Sequence, residues 1–186
     1  IKRVIQSRFD DGEIIEMDFA QLEFRVAAFL SQDSQAIQDI LEGVDVHQNT
    51  ANVIGCDRQT AKAHTFKPLY GGMSGTDEEK KYYSYFRKRY KGITLWQEKT
   101  EDTAISTSFV TLPSGRQYYF EGIKRASWGG SNFYTQVRNY PVQGFATGDI
   151  VPVACIDIYK SMKNMRTRLI NTVHDSIIIG VHPKEV

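Results

Sequence analysis

Two carboxylates carry the first suggestion of chemistry in this sequence. Asp18 closes the run Glu13-Ile14-Ile15-Glu16-Met17, and Asp175 stands between the apolar runs Leu169 to Val173 and Ile177 to Ile179. If the strands that these runs predict are neighbours, the carboxylates meet. Like charges sharing a site repel unless a cation lies between them, and hard oxygen donors suit Mg²⁺, which prefers carboxylates, waters and substrate phosphates. Such a pair can hold two ions about 3.5 to 4 Å apart for an in-line phosphoryl displacement. The plainer alternative makes Asp18 the cap of a following helix and Asp175 a hairpin-turn residue.

A second pattern lies in Arg58, Lys62 and Phe66, spaced four apart. At about 100° per residue each step turns by about 40°, so two cations and a ring share one helix face. That face suits a nucleotide: Arg58 and Lys62 can neutralise a triphosphate while Phe66 offers a flat surface to the base or sugar. The alternative is a surface helix with two ordinary cations and a core phenylalanine. Residues 80–91, KKYYSYFRKRYK, also interleave cations with rings. They read better as a helix that buries Tyr82, Phe86 and Tyr90 and solvates its Lys and Arg residues.

The elements that must position these groups follow from the patterning. Val4, Ile5 and Phe9, the turn Asp10-Asp11-Gly12 and the run to Asp18 predict a hairpin, since Asp-Gly between apolar runs is a strong hairpin signal. The spacing in LEFRVAAFLS predicts a helix immediately after it. Residues 34–105 read as helical, punctuated by Gly43, Gly55, Gly71, Gly72 and Gly75. Strand chemistry returns at 107–120 around Pro113-Ser114-Gly115, a long helical segment covers 139–162, and LINTVHDSIIIGV predicts two strands with His174, Asp175 and Ser176 between them. The order implies an α+β fold with a mostly antiparallel sheet and a helical insertion.

With 186 residues, 41% of them hydrophobic, the chain can build one substantial core or two small subdomains sharing one. A net charge of +1 carries no global signature of nucleic-acid binding. Cys56 and Cys155 lack metal-ligand spacing and read as reduced packing residues. No apolar stretch approaches the roughly 20 residues of a membrane span, and the opening residues lack a secretory apolar block. These features predict a cytoplasmic protein without a membrane partner. A start at Ile1 and a stop at Val186 after an apolar run predict a piece of a longer protein.

Asp18-Phe19-Ala20-Gln21-Leu22-Glu23-Phe24-Arg25 resembles the first catalytic motif of family-A DNA polymerases, the group of bacterial DNA polymerase I and many phage replication enzymes. Arg58, Lys62, Phe66 and Tyr70-Gly71 match the spacing of the family's nucleotide-binding fingers helix, and Asp45-Val46-His47 resembles the stretch before it. Asn139-Tyr140-Pro141-Val142-Gln143-Gly144 resembles the primer-template contact segment, and Val173-His174-Asp175 the second catalytic motif. The matches fall in the family's order across nearly the whole chain.

The resemblance implies an antiparallel palm sheet with flanking helices and a mainly helical fingers insertion, with palm at 1–33 and 107–186 and fingers at 34–106. It implies two Mg²⁺ ions on Asp18, Asp175 and the Phe19 carbonyl, deoxynucleoside triphosphates as substrates and primer-template DNA as partner. Lys62 would act as general acid, and closure of the fingers would be the selectivity step. His47, Arg58, Lys62, Phe66, Tyr70, Gln21 and Glu23 would bind the nucleotide, Glu23 and Tyr70 beside the sugar's 2′ position. Asn139, Gln143 and His174 would touch DNA, the two amides at the minor groove, where acceptors occur at every base pair. A monomer is expected, in a bacterial cell or a phage-infected one, with a thumb and any exonuclease domain before Ile1.

The sequence departs from the family at several points. Ser176 follows Asp175 where Glu is commoner, and Pro68 falls inside the fingers helix, where a kink would re-aim Tyr70 relative to Phe66. Thr135 stands where many members carry Arg before the contact segment, with Arg138 close by, and Gln6 stands at another common Arg position. Such variation fits a phage-encoded member. Three rivals are separable by experiment. A related single-subunit RNA polymerase is disfavoured by Glu23, a silent DNA-binding module would ignore Mg²⁺, and a two-metal nuclease gives no reason for the Arg58, Lys62, Phe66 series.

Overall fold

A computed structural model of the chain describes residues 6–185. Strand β1 (Glu13–Asp18) leads into helix α1 (Leu22–Ser31), followed by α2 (Ser34–Leu41), α3 (Val46–Ile54), α4 (Arg58–Leu69), α5 (Asp77–Arg89) and α6 (Lys91–Thr107). A short hairpin, β2 (Phe109–Thr111) and β3 (Gln117–Tyr119), precedes α7 (Tyr134–Phe145). A π-helical turn, Ala146–Ile150, joins α7 to α8 (Val151–Ser161), and β4 (Arg168–Val173) and β5 (Ser176–Val181) close the order. The described residues up to Leu22 form one compact unit with those from Gly144 onward, and Glu23–Gln143 form a second.

In the first unit β5 is the central strand of an antiparallel sheet of order β1-β5-β4. Its residues 176–181 are nearly all buried, as the centre of a sheet requires, and Ile177, Ile178 and Val181 belong to the core. The turn at Asp10-Asp11-Gly12 is present: Asp11 has φ 60° and Gly12 N donates to Phe9 O at 3.1 Å. Residues 6–8 are not strand, and Val4 and Ile5 of the expected hairpin lie outside the described residues. Between Leu169 and Asn171 the pairing of β4 with β5 slips by one residue, a bulge at Ile170 that resets the side-chain alternation before the β4-β5 turn. Below it Glu185 accepts bonds from the Arg166 and Thr167 amides and the Thr167 hydroxyl, which pull its carboxyl down to about 2.

The second unit is helical because its polar segments carry explicit start and stop signals. Asp33, Asp45, Asp57 and Thr76 each cap a helix N-terminus, Thr76 with Glu79 in a reciprocal capping box. Tyr82, Phe86 and Tyr90 fill the core, as the 80–91 segment predicts, joined by Tyr83, and Phe24 lies edge-on to Tyr90. Asp39 of α2 is buried among donors: Arg89 Nη2 at 2.7 Å, Tyr90 Oη at 2.8 Å and Gln35 Nε2 at 2.8 Å. Burial alone would raise its carboxyl, but the Arg89, Tyr90 and Gln35 bonds outweigh burial and hold it below the usual range.

A depressed folded-state value means the contribution is present above the unfolded carboxylate range and is lost as pH falls through the folded value. Asp39→Asn is therefore expected to lower stability by about 1.5 to 3 kcal/mol at neutral pH, the usual worth of hydrogen bonds to a charged group. In urea denaturation at neutral pH and near pH 3, the gap from the unaltered chain should shrink at the lower pH.

No helix among the described residues is long and apolar enough to cross a membrane. The 139–162 segment begins earlier than expected, at Tyr134, and is broken by the π-helical turn. Asn139 therefore sits inside a helix, five residues after its start.

Candidate functional site

The first unit brings the two carboxylates to one end of its sheet. Asp18, the last residue of β1, pairs with Ser176, the first of β5, so Asp175 falls next to that pair. The Phe19 amide donates to the Asp175 carbonyl at 3.4 Å. His174 and Asp175 make a two-residue turn between β4 and β5, with His174 at φ 55°. A positive φ at the first central position matches the twist of a tight hairpin and holds both side chains at the tip, His174 exposed and Asp175 half-buried.

Ser176 itself is buried. Its hydroxyl lies 2.7 Å from Glu16 Oε1 and 3.0 Å from the Val173 carbonyl. Glu16 and Asp18, two residues apart on β1, lie on one face of the sheet.

The donor chemistry here is hard oxygen. Among the described residues no group of three or more His, Cys, Asp and Glu side chains is placed to hold a metal ion by itself. Two carboxylates beside the Phe19 backbone carbonyl instead fit a divalent ion such as Mg²⁺, which keeps several waters and takes the rest of its shell from substrate phosphates.

The second unit carries the cationic face. Arg58, Lys62 and Phe66 lie on α4 at successive turns, with the first two exposed and Phe66 half-buried. Arg58 Nε bonds Asp45 Oδ2 at 2.7 Å, and the other oxygen of Asp45 accepts from the His47 and Gln48 amides. Burial would raise the Asp45 carboxyl, yet the Arg58 bond and the two amides hold it low. His47 is 4% exposed and edge-on to Phe66 at 5.4 Å, with no partner for Nδ1. Burial lowers its imidazole value; Asp45 opposes that shift, and Arg58 and Lys62 add to it. A neutral ring with one N–H results.

Pro68 does not displace Tyr70. The proline sits in the last turn of α4, where it forfeits only the bond to His64, and Tyr70 N still donates to Phe66 O at 3.1 Å. The Phe66 and Tyr70 rings stack at 6.4 Å with 13° between planes. Tyr70 Oη donates a short hydrogen bond to Glu23 Oε2, and Gln143 Nε2 lies 3.3 Å from Glu23 Oε1. Burial and the adjacent Glu23 carboxylate push the Tyr70 phenol far above its ordinary range, so it remains a donor. Gln21, at φ 54°, ends the link from β1 to α1.

On α7, Asn139 is half-buried with Oδ1 unpartnered, and Gln143, one turn on, is exposed. Arg138 is 4% exposed and ion-paired to Glu101, so it does not supply the surface cation missing at Thr135. Sequence patterning missed Glu101, Tyr134 and Gln97, which support the end of α4; no motif marks them. It also missed Glu16 as the partner of Ser176.

The chain is 27% identical to DNA polymerase I of Streptococcus pneumoniae over 208 residues, covering all of this chain and 24% of that protein. It is 32% identical to DNA polymerase theta of Mus musculus over 178 residues, covering 86% of this chain and 7% of that one. It thus spans about a quarter of the bacterial relatives it matches. The POL domain of Pol1 from M. smegmatis, solved in complex with DNA primer-template and dNTP, shares the fold, with a TM-score of 0.78 and 24% identity over 93% of this chain and 34% of that one. The model of DNA polymerase family A matches residues 1–186 from end to end, and the chain belongs to that family.

Proposed function

We propose that this chain is the palm-and-fingers core of a DNA-directed DNA polymerase, adding deoxynucleotides to a primer 3′ end with release of pyrophosphate. We assign 1–33 and 107–186 to the palm and 34–106 to the fingers. The observation that carries the reading is the β1-β5 register, which sets Asp18 opposite Ser176 and next to Asp175 at one sheet end. That arrangement has a ready use in phosphoryl transfer.

Asp18, Asp175 and the Phe19 carbonyl would hold two Mg²⁺ ions. When bound, such ions supply Lewis-acid activation of the primer hydroxyl and neutralise charge on the departing pyrophosphate. Arg58 and Lys62 bind and orient the triphosphate, and Lys62 donates a proton to the leaving group. His47 offers its N–H to a phosphate oxygen. Phe66 supports the base or sugar, while Glu23, fixed by Tyr70, bounds the sugar's 2′ side with Gln21 nearby in sequence. Asn139, Gln143 and His174 contact the primer-template. Bacterial relatives of this kind support a cytoplasmic enzyme, and we propose that it acts as a monomer.

The test is primer extension by the full-length protein on a defined template. Template-matched deoxynucleotide addition that requires a divalent cation is the expected result. Metal-independent duplex binding without extension would instead mark a silent DNA-binding module, and loss of DNA without added nucleotides would mark a nuclease.

A further inference from the structure

One buried ion pair has no part in the roles assigned above. Arg138 of α7 and Glu101 of α6 meet at 2.7 Å, with side chains 5% and 6% exposed. The second Glu101 oxygen accepts the Ser131 amide at 2.5 Å. The Arg138 guanidinium lies 3.6 Å above the Tyr134 ring, and Tyr134 Oη donates to the Gly71 carbonyl at 3.1 Å.

These contacts converge on the corner that carries Tyr70. Gly71 has φ +83°, and a Cβ there would fall 2.8 Å from Arg138 Cδ and 3.0 Å from Tyr134 Cε1, so the arginine arm lies directly against the glycine backbone. On the other side of Tyr70, Gln97 donates a short hydrogen bond to the Leu69 carbonyl, and Gly72 N closes onto Lys67 O at 2.7 Å. Both neighbours of Tyr70 are therefore tied to α6 or α7, while its hydroxyl is committed to Glu23.

Stability alone is a poor explanation for the pair. Taking two charges out of water generally costs as much as their attraction returns, and apolar residues of similar volume serve a core as well or better. Arg138 Nε is moreover buried with no partner. What the pair does provide is a fixed platform for Tyr134 and Gly71.

We infer that the Arg138–Glu101 pair, acting through Tyr134, sets the position of the Tyr70–Gly71 corner and so the tightness with which Tyr70 and Glu23 exclude a 2′-hydroxyl. Arg138, Glu101 and Tyr134 are positioning residues for sugar selection. The inference rests on the reading of Glu23 and Tyr70 as the boundary on the 2′ side.

The test compares kcat/KM for deoxyribonucleotide and ribonucleotide insertion in the full-length protein. Tyr134→Phe keeps the ring beneath Arg138 and removes only the bond to Gly71. Arg138→Leu combined with Glu101→Leu removes both charges together and keeps the core filled. Each is expected to lower sugar discrimination about tenfold, with deoxyribonucleotide kcat little changed and the fold retained at the assay temperature. Unaltered discrimination in both folded variants, with Glu23→Ala reducing it strongly, overturns the inference alone. Unaltered discrimination in Glu23→Ala overturns the 2′-boundary reading, and the inference falls with it.

Discussion

Asp18→Ala and Asp175→Ala should each reduce template-directed extension by at least about a thousandfold, about 4 kcal/mol of lost transition-state stabilisation. The size follows from placement: the two carboxylates are the proposed side-chain ligands of the ion pair, so loss of either leaves a site with one. Single-turnover incorporation with saturating deoxynucleotide isolates the chemical step from binding and release. The fold should survive, because Asp18 is exposed at a strand end and Asp175 lies in a turn. Circular dichroism and melting of each variant check that point. Extension that persists in both folded variants would remove this sheet end from the mechanism.

The second large effect concerns stability. Arg138→Leu alone leaves the Glu101 carboxylate buried with only the Ser131 amide of its two partners, and breaking a buried pair in this way costs about 3 to 5 kcal/mol. Glu101→Leu alone should cost a similar amount by stranding the guanidinium over Tyr134. The double change removes both charges and should recover most of the loss, leaving a residual cost of about 1 to 3 kcal/mol for the buried Ser131 amide that Glu101 no longer accepts. Equilibrium urea denaturation of the three variants completes the cycle. Simple additivity of the single losses would mean that the two residues act independently, contrary to their 2.7 Å contact.

Sequence patterning located the ends of this structure's chemistry better than its supports. The Asp18 and Asp175 strands were legible because alternation and apolar runs are local properties, and the α4 face was legible because four-residue spacing reports a helix directly. Helix phase was harder. With the helical segment expected from 139, Arg138 stood outside it, noted only as a cation close to Thr135. The true start at Tyr134 turns Arg138 inward against α6. Glu101 carried no motif at all, since a buried charge is identified only by the partner that folding brings to it.

Pro68 shows a related limit: its cost depends on how many turns follow it, and here the helix is ending. The compact units, divided near residues 22 and 143, leave no trace in composition because the chain runs through α1 and α7 without a linker.

The bond between Ser176 and Glu16 also constrains how this sequence can change over time. Converting Ser176 to the Glu commoner in the family would set a second carboxylate against Glu16, whose oxygen now lies 2.7 Å from the serine hydroxyl. Repulsion between two carboxylates brought this close would oppose the change, although Glu16 itself is exposed. The order of substitution therefore matters: position 16 must lose its charge before position 176 can gain one, and a lineage that holds Glu16 is held to a small hydroxyl across the strand.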